Sequence, residues 1–264
     1  MLLVIDIGNT HTVCGVFDGP ELKSSWRISS TPLRTEDEIL AQLKTLLLDS
    51  GIKPTGISAV AISSVVPDLT TVFSSMVHKY FGQTPLLIDA RLDLGIRIHY
   101  HDPLSVGADR LCNAVAGFAK YGGPLIVVDF GTATTFDIIA ANGDYLGGVI
   151  APGPETAAAD LHRRAAKLPR IDLNIPDHVI GQDTVSSMQI GILYGTIDGL
   201  EGMIRRLQGE IKKREGREAT VVATGGFSTF LSAHTAVLQF CEPMLVLEGI
   251  RLIHERVRTT STHR

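Results

Sequence analysis

Three acidic motifs carry the chemistry legible in this sequence. The first, Asp6-Ile7-Gly8-Asn9-Thr10, joins two short apolar runs. A tight strand–turn–strand with a glycine lets backbone N–H groups approach phosphate oxygens, and Asn9 and Thr10 add neutral donors. A carboxylate at the strand end can hold Mg2+, directly or through water, which makes Asp6 the Mg2+ candidate. An ordinary hairpin turn has the same composition, so this motif alone leaves both readings open. The second, Asp129-Phe130-Gly131-Thr132-Ala133-Thr134-Thr135, repeats the turn. Two such loops facing one another would clasp a polyphosphate, with Thr132 bonding a phosphate oxygen and Asp129 holding a cation. A duplication kept only for folding is the competing explanation.

The third motif is Gly107-Ala108-Asp109-Arg110, and Leu111, Val115 and Phe118 continue it at helical spacing. Asp109 in a helix's opening turn is favoured by the helix dipole and stays ionised, as a proton acceptor requires. Arg110 opposes the dipole; a bidentate carboxylate or phosphate contact would justify it, against a surface ion pair worth little. A weaker signal, Thr224-Gly225-Gly226, fits close approach to a flat ligand such as adenine, or simply a glycine turn entering a helix. His99 and His101 share one face of any strand but lack an evident third metal ligand. Cys112 reads as a core residue, and Lys212-Lys213-Arg214 as a solvated helix end. No P-loop is present, and no G-x-G-x-x-G follows a strand.

The elements that must position these groups fall into two similar series. Residues 2–5, 12–17 and 22–28 read as a β-meander around the first turn. Thr35-Glu36-Asp37-Glu38 has capping-box spacing and opens a helix through Leu47. A strand at 57–62, a helix at 69–81 and a strand at 86–88 follow. The second series has strands at 125–128, 134–139 and 144–150, then an Ala-rich helix. One long helix or two abutting ones cover 182–214, with Gly191, Gly195, Gly199 and Gly202 in a row. Each interior glycine costs about 1 kcal/mol against Ala, which close packing must offset, within the chain or against another subunit. A strand at 220–223 and a helix at 244–258 end the pattern. Strand–Asp-x-Gly–strand–strand thus occurs twice, offset by nearly half the chain. This predicts an α/β protein of two duplicated domains, 1–118 and 119–264, with a cleft between them.

Composition narrows the function classes. The 264 residues are 44% hydrophobic, and Lys+Arg 24 against Asp+Glu 28 leaves a net charge of −4. No basic surface for nucleic acid is expected. No window approaches the ~18 apolar residues of a membrane span, and no secretory signal opens the chain. Three scattered cysteines disfavour a disulfide framework, so the expected compartment is the cytoplasm.

Taken together, the motifs resemble type III pantothenate kinases, of the acetate and sugar kinase/heat-shock cognate 70/actin superfamily. The resemblance spans nearly the whole chain. It includes the three acidic motifs, Thr35-Glu36-Asp37-Glu38, Gly147-Gly148-Val149-Ile150-Ala151-Pro152-Gly153, Ala166-Lys167-Leu168-Pro169, Gly181-Gln182-Asp183-Thr184 and Thr224-Gly225-Gly226. It implies two ribonuclease-H-like, actin-like ATPase domains with ATP in the cleft, phosphorylation of pantothenate to 4′-phosphopantothenate, and a homodimer. It further implies Asp109 as proton acceptor, and Asp6, Ile7, Gly8, Asn9, Thr10, His11, Thr12, Val13 and Thr132 as ATP contacts. Asp129 becomes the K+ or NH4+ ligand, and Tyr100, Gly107, Ala108, Asp109, Arg110 and Thr184 substrate contacts. None of the three acidic motifs holds a Lys, so Asp6, Asp109, Asp129 and a polyphosphate need more positive charge than Mg2+ alone, which a monovalent ion would supply. Two departures stand out: Gln182 sits where a basic residue is common, and Phe240-Cys241-Glu242-Pro243 is unusual. A kinase for another small alcohol such as a hexose, and a nucleotide-binding regulator without catalysis, are the alternatives.

Overall fold

The computed structural model describes residues 1–31 and 33–262, with side chains to residue 260. The chain divides into two compact units: Met1–Lys120 with Met244–Arg264, and Tyr121–Pro243. In the first, β1 (Leu2–Ile7), β2 (His11–Asp18) and β3 (Glu21–Ser29) form an antiparallel meander. α1 (Glu36–Asp49) follows, closed by the predicted capping box: Thr35 Oγ1 accepts the Glu38 N–H, and the Glu38 carboxylate accepts the Thr35 N–H at 2.8 Å. β4 (Ala59–Ser64) returns parallel to β1, α2 (Pro67–Phe81) starts on a proline, and β5 (Leu86–Leu87) extends the sheet. Strand order is β3-β2-β1-β4-β5. Leu3, Val4 and Ile5 of central β1 are fully buried, as a strand covered on both faces requires. Ile39, Leu43 and Leu47 of α1 and Leu69, Phe73, Met76 and Val77 of α2 complete that core. α3 (Ala108–Tyr121) leads out of this unit.

The second unit repeats the plan. β6 (Leu125–Phe130), β7 (Ala133–Ile139) and β8 (Tyr145–Pro152) form a second meander, followed by α4 (Pro154–Arg164). α5 (Thr184–Glu215) is a single helix of 32 residues, capped by Asp183 and ended by Gly216 in the left-handed conformation. β9 (Thr220–Gly225) pairs parallel with β6; α6 (Ser228–Ser232) and β10 (Phe240–Cys241) complete the order β10-β9-β6-β7-β8. Each sheet is therefore a three-stranded meander with a parallel strand beside its first member and a short parallel strand beyond. The expected duplication is present in the topology itself. The glycine row on α5 finds no close neighbour: a Cβ at Gly191, Gly195, Gly199 or Gly202 would meet nothing within 4 Å. Packing inside this chain does not offset the cost of those glycines.

α7 (Leu245–Thr262) packs on β1, β2 and β4 and belongs with the first unit, whereas the expected second domain ran from 119 to 264. Leu245, Leu247, Ile250 and Ile253 are buried there. Leu247 reaches Gly15 of β2, and a Cβ at Gly249 would lie 2.1 Å from the Cys112 carbonyl oxygen, so α7 and α3 touch backbone to backbone. The helix's apolar face fits the open face of the first sheet, and sequence continuity alone placed it with residues 119–264.

Candidate functional site

The first acidic turn is the β1–β2 hairpin. Gly8 N–H bonds His11 O at 3.0 Å, and a Cβ on Gly8 would come within 3.0 Å of the same oxygen, so glycine keeps the turn tight. Asn9, Thr10 and His11 are exposed, Ile7 is buried, and Asp6 and Val13 are half-buried. Thr12 is fully buried and shares a 2.9 Å hydrogen bond with Ser30, so its hydroxyl serves the β2–β3 pairing. Asp6 is opposite Ser63 in the parallel β1–β4 register, and Ser63 Oγ donates to Asp6 Oδ1 at 2.8 Å. The sequence reading missed Ser63. Its only signal was a polar residue closing the buried run of β4.

The second component is the opening of α3. Asp102 caps a single helical turn over Pro103–Ser105, and Gly107 follows. Asp109 Oδ1 accepts the Arg110 N–H at 2.8 Å, and a Cβ on Gly107 would lie 2.5 Å from that oxygen. Glycine at 107 thus leaves room for the carboxylate. Burial pushes the Asp109 carboxyl up from the usual range, against the opposing pull of the Arg110 N–H and guanidinium. Arg110 is only 7% exposed, which rules out the solvated surface pair. Ala108 is buried, and Tyr100 lies exposed on the preceding loop. Cys112, one turn on, is fully buried; its thiol is pushed well up, first by burial and then by the Asp6 and Asp109 charges. It is no nucleophile. The first turn and the helix opening belong to the same unit.

The third component is the β6–β7 turn. Gly131 N–H bonds Ala133 O at 3.0 Å, while Gly153 N–H and Thr156 Oγ1 both bond Thr132 O, at 3.1 and 2.6 Å. A Cβ on Gly153 would fall 2.3 Å from Gly131 O, so the expected Gly147–Gly153 motif ends by buttressing this turn. Gly131 and Thr132 are exposed and Asp129 is half-buried. The buried hydroxyls of Thr134 and Thr135, on opposite faces of β7, have no hydrogen-bond partner. Gly225, at φ +88°, lies against Asp129: a Cβ there would sit 2.3 Å from Asp129 Oδ1. Thr135 is opposite Asp129 in the β6–β7 register, so a carboxylate and one unpartnered hydroxyl come from paired positions, a donor chemistry that suits an oxygen-seeking cation.

Thr184 and Gln182 are exposed at the start of α5 and line a cavity of about 680 Å³ with Leu161, Leu168, Met188 and Ile192. Asp183 between them is held ionised below the usual range by the Ser186 N–H it caps. Among the described residues no group of three or more His, Cys, Asp or Glu is placed to hold a metal, and His99 and His101 acquire no third ligand.

Comparison with known proteins bears on these components together. The family model for type III pantothenate kinase matches residues 2–206. The type III pantothenate kinase of Moorella thermoacetica is 47% identical over 256 residues, covering 97% of this chain and 99% of its own. That of a Geobacillus species is 43% identical with 97% and 98% covered. Among solved structures, the activator of 2-hydroxyisocaproyl-CoA dehydratase from Clostridium difficile superposes with a TM-score of 0.56 at 14% identity, covering 100% of this chain and 97% of its own. That likeness supports the duplicated actin-like architecture. With the family model matching residues 2–206 and relatives 43% and 47% identical over 97% of its length, this chain belongs to the type III pantothenate kinase family.

Proposed function

We propose that this protein transfers the γ-phosphoryl group of ATP to the primary hydroxyl of pantothenate, giving 4′-phosphopantothenate and ADP, the first step towards coenzyme A. Full-length identity to pantothenate kinases supports the reaction. The observation that carries the site is the Asp109 carboxylate in the opening turn of α3, bonded by the Arg110 N–H at 2.8 Å and given room by Gly107, in the same unit as the tight turn after Asp6. Asp109 accepts the hydroxyl proton as the new O–P bond forms and the bond to the β-phosphate oxygen breaks. The transfer is largely dissociative, so positioning matters more than base strength, and acceptance comes late.

ATP phosphates are read by residues 6–13 and by Thr132, whose carbonyl is already fixed by Gly153 and Thr156. Mg2+ is held by Asp6 through water, and Asp129 holds K+ or NH4+; when bound, these ions neutralise the phosphate charge that no lysine of the three acidic motifs meets. Tyr100, Gly107, Ala108, Arg110 and Thr184 contact pantothenate, with buried Arg110 clamping its carboxylate. The open glycine row on α5 and the exposed Ile150, Val179, Ile180 and Val185 of the same unit support a homodimer. No helix among the described residues is long and apolar enough to cross a membrane. The free, buried Cys14 and Cys112 suit the reducing cytoplasm.

The deciding experiment is an ADP-coupled assay with ATP, Mg2+, K+ and pantothenate, run beside hexose acceptors. Turnover with pantothenate that falls sharply when K+ is replaced by a bulky organic cation is expected. Turnover only with hexoses, or none with any acceptor, would overturn the assignment.

A further inference from the structure

A serine inside a buried parallel strand has to justify its hydroxyl, because an unpaired one costs free energy. Ser63 is completely buried in β4, following Val60, Ala61 and Ile62 of the same core, and its hydroxyl is committed to Asp6 Oδ1 at 2.8 Å. The Ser63 hydroxyl therefore bridges β4 to β1 at the Asp6 carboxylate.

The second sheet repeats the arrangement of residue types. Asp129 on β6 is opposite Thr224 on β9 in the same parallel register, and Thr224 is 2% exposed. Both halves thus place a buried hydroxyl residue beside the strand-end aspartate. Packing alone does not ask for this, since an apolar side chain would fill either strand more favourably.

We infer that Ser63 is a positioning residue: it fixes the Asp6 carboxylate in one orientation. The inference rests on the role proposed above for Asp6. Ser63 holds Asp6 Oδ1 in place and so sets how the carboxylate presents itself. Removing the hydroxyl loosens that orientation, so metal-dependent nucleotide binding suffers while pantothenate binding does not.

The test is calorimetric titration of a non-hydrolysable ATP analogue into the full-length protein, with Mg2+ and with EDTA, together with steady-state kinetics. Ser63→Ala should weaken analogue binding about tenfold with Mg2+, the scale of one lost hydrogen bond to a charged group. Binding in EDTA and the KM for pantothenate should stay as in the wild type. In an Asp6→Asn background, Ser63→Ala should add no further loss. If the alanine variant does not fold, near-isosteric Ser63→Cys, a weaker donor, gives the same readout at smaller amplitude. Wild-type Mg2+ dependence in the Ser63 variants, or a loss that persists in Asp6→Asn, overturns the role of Ser63 alone. A wild-type protein whose analogue binding ignores Mg2+ overturns it together with the assignment of Asp6. Mg2+-dependent binding without pantothenate turnover would sink the kinase reading while leaving Ser63 decided by the titration.

Discussion

Replacing Gly225 by alanine tests the geometry of the second turn. Gly225 holds φ +88°, which costs an L-residue about 1–2 kcal/mol. Its new Cβ would also lie 2.3 Å from Asp129 Oδ1 and 2.7 Å from both N and O of Phe130. The carboxylate can swing away, but Phe130 cannot, because it is paired with Thr134 on one side and with Gly225 itself on the other. Overpacking against such a fixed neighbour adds about 1–3 kcal/mol, for a total of about 2–5 kcal/mol. At about 2–4 °C per kcal/mol, the unfolding midpoint should drop by about 4–20 °C. The displaced carboxylate is the proposed monovalent-cation ligand, so the K+ concentration for half-maximal turnover should rise. The Mg2+ requirement should not change, since Asp6 belongs to the other sheet. Differential scanning calorimetry and K+ titration in the coupled assay measure both effects. A Gly225→Ala protein that melts like the wild type would refute the packing argument. One that is destabilised but keeps its K+ response would remove Asp129 from the cation role.

Two further substitutions separate catalysis and assembly from stability. Asp109→Asn should lower kcat by about 10²–10⁴, the usual scale of a general base. Because burial raises the folded-state carboxyl, the native protein binds more protons than the unfolded chain between the ordinary and the raised pKa. Stability therefore falls as pH rises through that window, and the cost is complete above it. Asp109→Asn should accordingly melt higher than the wild type at neutral pH, and wild-type turnover should fail on the acid side at a pH above the ordinary carboxylate range; a lower melting point at neutral pH would refute the burial argument. On α5, Gly195→Ala with Gly199→Ala should add about 1 kcal/mol of helix stability each if the face stays in solvent. If a second copy packs there, as proposed, sedimentation should instead show the dimer dissociating, and an intact dimer would move the seam elsewhere.

What the sequence disclosed and what it hid follow from the range of each interaction. The capping box at Thr35 and Glu38 was legible because both partners lie within one turn, and the Asp-Gly turns because their geometry is set by adjacent residues. Ser63 was not legible, since its partner is 57 residues away and is reached only through strand register. The same limit explains Thr12, which reads as part of a phosphate loop yet spends its hydroxyl on Ser30. α6 and β10 escaped notice because five and two residues are too few to establish a period. The glycine row on α5 was visible, but whether a neighbour covered it could be asked only of the folded chain.

The placement of α7 changes how the two units relate in sequence. The second unit, Tyr121–Pro243, is inserted between the main part of the first and its closing helix. Four side chains of α7, Leu245, Leu247, Ile250 and Ile253, are no more than 2% exposed against the first sheet. At about 1.5–3 kcal/mol each, their burial contributes about 6–12 kcal/mol, comparable with the entire net stability of a typical domain. The first sheet, with Asp6, Ser63 and α3, is therefore incomplete until the chain has passed through the second unit and come back. The proposed base on α3 is held partly by the last helix of the protein, through the contact of Gly249 with Cys112. The two repeated sheets are thus asymmetric: only the first, whose unit holds the proposed Mg2+ carboxylate Asp6 and the proposed base Asp109, is closed by a helix that follows the other unit in sequence.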